Sequence, residues 1–147
     1  TSHQAEMYRR TLETYGEMLF AGATSLWEVG AGDDWSPGAS LCHAWSSFPV
    51  WFCHAYLLGV RPVEPGFTAF GIMPHPAGLP YCRGTVPTPA GDISVAWEHS
   101  RGLFDITIEA PRNCRPAIVS PVIPRESRCR VYLNGKRVTQ SMAVPRG

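Results

Sequence analysis

The chain has 147 residues, enough for one ordinary domain or for two small units that share a core. A hydrophobic fraction of 44% excludes a disordered polar tail. The net charge is +1 and basic residues form no long run, so neither nucleic acid nor a membrane is an expected partner.

Residues 1–60 have the apolar spacing of helices. In the first stretch, apolar residues recur at steps of three and four, which places them on one helix face. They are Ala5, Tyr8, Leu12, Tyr15 and Leu19. Ser2 is the expected N-cap, Gly16 is expected to interrupt the helix, and Gly22 is expected to end it.

The connection that follows this helix concentrates polar and aromatic side chains. They are Trp27, Glu28, Asp33, Asp34, Trp35, His43 and Trp45. Long ordered connections beside rigid helices tend to be functional. An indole offers a flat apolar face to a sugar ring, and a neighbouring carboxylate accepts hydrogen bonds or removes a proton from water. The combination of Trp27 and Glu28 therefore indicates a sugar site.

Structural alternatives remain open for these residues. Glu28 could be a loop residue bonded to the backbone, and His43 a satisfied core histidine. Asp33 and Asp34 have the character of turn residues. A metal site formed by His43, His54 and Asp34 would have no recognised ligand spacing, and no Gly-x-Ser-x-Gly segment supports a serine nucleophile. We therefore expect no metal and no cofactor.

A second helix is predicted at residues 47–58. Pro49 falls near its first turn, where a missing N–H costs little, and Gly59 follows its end. From Phe48 to Leu58, apolar residues cover nearly the whole circumference. Such a helix requires neighbours on all sides. Two helices cannot supply them, so we expect a second copy of the chain or a complementing fragment to pack here.

From Arg61 onward, prolines exclude long helices and the apolar period changes to two. Strands are predicted at 67–72, 81–86, 93–97, 104–108, 117–119, 131–133 and 136–138. Turns are predicted at 100–102 and at Asn134-Gly135, where a type I′ hairpin needs positive φ. The prediction is an α+β fold: two or three helices in domain 1–60, then an antiparallel β-sandwich in domain 61–147.

The chain has five cysteines, an odd number, and they are scattered along the sequence: Cys42, Cys53, Cys82, Cys114 and Cys129. No pair has Cys-x-x-Cys spacing. The N-terminal residues have no apolar signal region. Buried free thiols in a reducing compartment fit this pattern, which favours the cytoplasm over secretion. One disulfide remains open as an alternative.

Several segments together resemble the C-terminal region of bacterial and fungal α-L-rhamnosidases. They are Gly-Ala-Thr-Ser-Leu-Trp-Glu at 22–28, Ser-Leu-Cys-His-Ala-Trp at 40–45, Leu-Gly-Val-Arg-Pro at 58–62, Pro-Gly-Phe at 65–67, Gly-Thr-Val-Pro-Thr-Pro at 84–89 and Gly-Asp-Ile-Ser-Val-Ala-Trp at 91–97. The resemblance implies the end of an (α/α)₆ barrel followed by a β-sandwich, and hydrolysis of terminal α-L-rhamnose with inversion and without a metal. It implies that Glu28 is the general base and that His43 lines the rhamnose pocket. Trp27 and Trp45 would help to shape that pocket.

The resemblance also implies that most of an enzyme is missing. An (α/α)₆ barrel has twelve helices, and the family's general acid lies far upstream of the segment that this chain matches. The expected function is therefore a C-terminal fragment that carries the base, lacks the acid, is inactive alone and binds a rhamnose-containing glycoside only when complemented. The alternative is a non-catalytic carbohydrate-binding or structural β-sandwich module. Whether the isolated chain is an enzyme stays open between these hypotheses.

Overall fold

The computed structural model describes residues 3–30, 38–123 and 127–138, apart from the side chain of Ile118. The predictions for Ser2, Asp33, Asp34 and Trp35 fall outside the described residues. The chain forms two compact units, which divide between Phe52 and Cys53. The domain boundary expected at residue 60 stays a prediction.

The first unit contains helix α1, His3–Phe20. The prediction that Gly16 interrupts this helix is wrong, because a single glycine costs a helix only about 1 kcal/mol. The helix ends at Phe20, and Gly22 terminates it as expected: the φ of Gly22 is 84°, and the Ala23 N–H donates to the Met18 carbonyl at 2.9 Å. Of the predicted apolar face, Leu12 and Leu19 are exposed.

The predicted second helix exists, but it changes type along its length. A 3₁₀ turn at Ala44–Ser47 leads into helix α2, Phe48–Phe52, and a π-helical turn at Cys53–Leu57 follows in the second unit. The Leu58 N–H donates to the Cys53 carbonyl at 2.8 Å. Gly59, with φ of 79°, follows the end as predicted.

Groups from later parts of the second unit donate hydrogen bonds to the last carbonyls of the π-helical turn. The carbonyls of residues 55, 56 and 57 each accept a hydrogen bond at 2.8 Å. The donors are Arg61 Nε, the His75 N–H and Trp97 Nε1, respectively. A regular α-helix would leave these last carbonyls without helical partners, so the three bonds explain why this end is stable.

The second unit contains two sheets. The strands are β1 Val60–Pro62, β2 Ala69–Ile72, β3 Tyr81–Val86, β4 Ile93–Ser100, β5 Leu103–Glu109, β6 Arg115–Val119, β7 Arg128–Leu133 and β8 Lys136–Val138. One sheet has the order β1-β2-β6, and the other has the order β3-β4-β5-β7-β8. The α+β class is confirmed, and seven of these strands correspond to the predicted ones. The unpredicted strand is β1.

The sheets are mostly antiparallel, but each contains one parallel pair. These pairs are β2 with β6 and β5 with β7. After β5 the chain crosses to the other sheet to form β6, and it returns as β7 in the direction of β5. Strand β6 therefore serves as the crossover that a parallel pair requires.

Both predicted hairpin turns have the expected backbone. Arg101 and Gly102 have φ of 48° and 73°, and Asn134 and Gly135 have φ of 48° and 75°. Positive φ at both central residues is the mark of a type I′ turn, which matches the twist of the adjoining strands. These turns set the β4–β5 and β7–β8 registers.

The inner faces of the two sheets form one apolar core. Trp97 is only 2% exposed and stacks on Phe104 with ring centroids 5.2 Å apart. The core also includes Val60, Phe70, Ile72, Val86, Ile93, Val95, Ile106 and Ile108. All five cysteines are free; Cys114 is buried, whereas Cys42 and Cys129 are exposed. Among the described residues, no helix is both long enough and apolar enough to cross a bilayer.

Candidate functional site

Two segments of the first unit pair side by side in the connection that follows α1. The Glu28 N–H donates to the Ser40 carbonyl at 2.9 Å, and the His43 N–H donates to the Leu26 carbonyl at 2.8 Å. These bonds join residues that are twelve and seventeen positions apart. They bring Glu28 and His43 onto neighbouring stretches of backbone.

The Glu28 carboxylate is oriented by a backbone donor. Its Oε2 accepts a hydrogen bond from the Ser40 N–H at 2.9 Å, and the side chain remains 43% exposed. Within the described residues, Oε1 has no hydrogen-bond donor. The backbone bond is the contact that the structural alternative expected, yet it leaves one carboxylate oxygen open to water or ligand.

His43 lies beside this carboxylate. Its Nδ1 is 3.9 Å from Glu28 Oε2, which is too long for a hydrogen bond. The imidazole is 30% exposed, so the alternative of a buried core histidine does not describe it. It meets the Trp45 indole edge to face, with ring centroids 5.8 Å apart.

The two predicted tryptophans differ in exposure. Trp45 is 89% exposed, and it therefore presents its indole at the surface next to His43. Trp27 is half-buried, and its carbonyl accepts a hydrogen bond from Ser46 Oγ at 2.7 Å. Glu28, His43 and Trp45 thus form one contiguous group, which we call the Glu28 site. Trp27 adjoins it through the backbone.

Serine hydroxyls brace the backbone of the Glu28 site, and the sequence analysis missed them. Ser25 Oγ donates to the Leu41 carbonyl at 2.5 Å, and Ser40 Oγ donates to the Cys42 carbonyl at 2.9 Å. Ser46 Oγ makes the bond to Trp27 described above. The available signal was Ser25 near the start of the first segment and Ser40 and Ser46 near the two ends of the second, since such hydroxyls often bond to nearby backbone.

A metal ion has no ready ligand set in the described part of the chain. No three His, Cys, Asp or Glu side chains are grouped there in a way that could hold one. Asp34, which belonged to the metal alternative with His43 and His54, lies outside the described residues. That alternative therefore stays untested.

Comparison with known proteins places the sequence in a family. Residues 59–122 match the family described as the bacterial α-L-rhamnosidase C-terminal domain. An α-L-rhamnosidase of Alteromonas sp. (strain LOR) is 33% identical over an alignment of 120 residues, and the alignment covers 74% of this chain and 13% of that protein. This chain corresponds to the C-terminal region of the α-L-rhamnosidases.

Solved rhamnosidase structures contain the same fold. The GH78 family rhamnosidase of Bacillus sp. GL1 matches with a TM-score of 0.74 and 33% identity, over 88% of this chain and 14% of that one. The α-L-rhamnosidase of Streptomyces avermitilis, crystallised with L-rhamnose, matches with a TM-score of 0.61 and 25% identity, over 71% of this chain and 11% of that one. The rhamnosidase-like chain thus spans a small part of each relative.

Proposed function

We propose that this chain is the C-terminal part of an inverting α-L-rhamnosidase-like glycoside hydrolase and that Glu28 is its general base. The observation that carries the proposal is the state of the Glu28 carboxylate. The Ser40 N–H holds Oε2 at 2.9 Å, and His43 lies beside this oxygen and against the exposed indole of Trp45. Within the described residues, Oε1 has no hydrogen-bond donor. A base that activates water needs this combination of a fixed orientation and a free oxygen.

The chemistry of inversion assigns a defined step to this carboxylate. Glu28 takes a proton from a water molecule as the water oxygen attacks the anomeric carbon of rhamnose. The bond from that carbon to the leaving oxygen breaks, and a separate carboxylic acid protonates the leaving oxygen. In inverting enzymes the two carboxyl groups stand roughly 6.5–9.5 Å apart, which leaves room for the water. We propose that the acid is carried by a part of the enzyme outside this chain.

His43, Trp45 and Trp27 have binding roles in this proposal. The His43 imidazole is partly exposed and lies next to the carboxylate, so it can hydrogen-bond a sugar hydroxyl. The exposed Trp45 indole offers a flat apolar face to the C–H side of a sugar ring. Trp27 supports the site through its backbone carbonyl, which accepts the hydrogen bond from Ser46 Oγ. The ligand is a rhamnose-containing glycoside, bound when the rest of the enzyme is present.

We expect no rhamnosidase activity from the isolated chain, because it supplies a base without the acid. General acid or base assistance contributes about 10²–10⁴-fold each, and loss of substrate positioning lowers the rate further. The test is release of p-nitrophenol from p-nitrophenyl α-L-rhamnoside by the purified chain. Hydrolysis above the buffer rate that disappears in Glu28→Gln would show that the chain holds a complete site.

A complementing partner is the second part of the proposal. In the stretch from Phe48 to Leu58, Val50 is 54% and Trp51 is 55% exposed, and Phe20 at the end of α1 is 96% exposed. Such an apolar surface favours packing against another element, either further barrel helices or a second copy of this chain. Light scattering after size exclusion tests the second copy: we expect a concentration-dependent dimer that Trp51→Glu disrupts. A monomer at every concentration contradicts self-association.

The alternative of a sugar-binding module that uses a tryptophan of the sheets has little support. Trp97 is the single tryptophan after residue 60, and it is 2% exposed with its Nε1 bonded to the Leu57 carbonyl. A side chain in this position cannot stack on a ligand without unfolding the core. We therefore assign Trp97 a structural role.

A further inference from the structure

The outer face of the five-stranded sheet carries an open trough across β3, β4 and β5. Two adjoining depressions form it, with cavity volumes of about 310 and 300 Å³. Arg83, Ala96 and Thr107 line both of them. Alternate residues of β4 point into the core or outward, and Ala96 is an exposed one. The trough therefore lies on the face of the sheet that is turned away from the core, and its lining residues are different from those of the Glu28 site.

The register of the strands explains the shape of this trough. Three cross-strand rows lie side by side on the outer face. The middle row is Arg83, Ala96 and Thr107, the first flanking row is Thr85, Ser94 and Glu109, and the second flanking row is Tyr81, Glu98 and Asp105. Alanine is the smallest side chain of the nine, so the middle of the face lies lower than its two sides.

The first flanking row presents hydroxyl groups and a carboxylate. Thr85 Oγ1 and Ser94 Oγ are 3.0 Å apart and hydrogen-bonded, so each hydroxyl retains capacity for a further bond. Glu109 continues the row as an exposed acceptor. Together with Thr107 in the middle row, these groups can donate to and accept from a ligand rich in hydroxyl groups.

The second flanking row presents an aromatic ring. Tyr81 is 64% exposed at the edge strand of the sheet. Glu98 lies opposite Tyr81, and beyond it on β5 the Asp105 carboxylate is already paired with Arg130, with both hydrogen bonds at 2.5 Å. The ring of Tyr81 can therefore pack against an apolar ligand face, while its hydroxyl stays in water.

The charges on the trough nearly cancel. Arg83 is positively charged, whereas Glu98 and Glu109 are negatively charged, and Asp105 is neutralised by Arg130. Such a surface has no strong field to attract a polyanion or a polycation. Hydroxyl acceptors and donors, a flat aromatic ring and near neutrality together match one class of ligand, a neutral sugar chain.

We propose that this trough binds a short neutral oligosaccharide, with one sugar ring on Tyr81 and further hydroxyls bonded by Arg83, Thr85 and Thr107. Each depression is near the lower limit of about 300 Å³ for small-molecule sites, so each accommodates part of a sugar chain. Because the trough is open, we expect weak binding, with a Kd of about 1 mM.

The test is a titration of the full chain with oligosaccharides, monitored by two-dimensional amide NMR. The probes are cellotriose, maltotriose and a rhamnose-containing trisaccharide, with trigalacturonate as the charged comparison. We expect at least one neutral probe to give saturable shifts confined to β3, β4 and β5. Ala96→Phe should fill the trough and abolish these shifts, and Tyr81→Ala should weaken binding by roughly tenfold.

A matched variant controls for the added ring. Ala21 is also an exposed alanine but lies after α1, so Ala21→Phe should leave binding unchanged. If Ala96→Phe fails to fold, Tyr81→Ala alone decides the outcome. Absence of saturable shifts with every neutral probe overturns the proposal, as does selective binding of trigalacturonate. The readout is independent of hydrolysis, so it is not affected by failure of the rhamnosidase proposal.

Discussion

At the scale of single residues, side-chain type and backbone contact carry different information. The adjacent Trp27 and Glu28, and the resemblance to a known family, were sufficient to select Glu28 and His43 from the sequence. The Ser40 N–H that holds the Glu28 carboxylate could not be selected, because every residue except proline has such a donor. Its importance depends on the pairing of two distant segments, which becomes visible only in the fold.

Gly59 provides a residue-scale test of the fold. Its φ is 79°, and a Cβ at this position would lie 2.2 Å from the Pro74 nitrogen and 2.3 Å from the Met73 carbonyl carbon. Neither backbone atom can move away without disturbing β2. We expect Gly59→Ala to lower the free energy of unfolding by more than about 4 kcal/mol, measured by urea denaturation.

The matched control for Gly59 is Gly102. Its φ of 73° is similar, but nothing lies within 4 Å of an added Cβ. Gly102→Ala should therefore cost only the left-handed backbone strain, about 1–2 kcal/mol. Equal losses of stability in the two variants would contradict the close approach of Gly59 to Pro74.

At the scale of elements, the sequence predicted what local pattern determines. Alternating residues identified β4 and β5, and turn residues identified the turn at 100–102 and the type I′ hairpin at Asn134-Gly135. The parallel pairs were not predicted, because alternation along a strand does not specify its neighbour. The π-helical turn at Cys53–Leu57 was missed for a related reason. Its carbonyls are satisfied by Arg61, His75 and Trp97, all later in the chain.

The parallel pairing of β5 with β7 has a pH-dependent contribution. Asp105 lies opposite Arg130, and its hydrogen bonds from that guanidinium lower the pKa of the carboxyl below its ordinary value. The stabilisation is therefore present above the ordinary pKa and is lost as the pH falls through the lowered one. The pair is partly exposed, with 38% and 35% of its side chains accessible, so we expect a small contribution.

Removing the carboxylate tests that contribution. In thermal melts followed by circular dichroism, the melting temperature of Asp105→Asn should fall less on acidification than that of the wild type. Arg130→Gln should have the same effect, and the double variant should add little to either. Identical acid profiles in all four proteins would mean that the pair does not stabilise the sheet.

At the scale of the whole molecule, the chain spans a small part of the length of its relatives. It covers 13% of the Alteromonas α-L-rhamnosidase and 14% of the Bacillus sp. GL1 enzyme. The sheet unit buries a core of its own that joins both sheets. The first unit instead leaves Leu12, Leu19, Phe20 and Trp51 exposed. This contrast supports the proposal that the first unit is completed by other helices, whereas the sheets need no such cover.

The most direct test transplants the chain into a complete enzyme. In the Alteromonas α-L-rhamnosidase, the segment that matches this chain is replaced by it, and kcat and KM are measured on p-nitrophenyl α-L-rhamnoside. The chimera carrying Glu28 should hydrolyse the substrate with inversion. Glu28→Gln should lower kcat by about 10²–10⁴-fold with little change in KM or in the melting temperature. An active chimera in which Glu28→Gln leaves kcat unchanged would contradict the assignment of Glu28 as the general base.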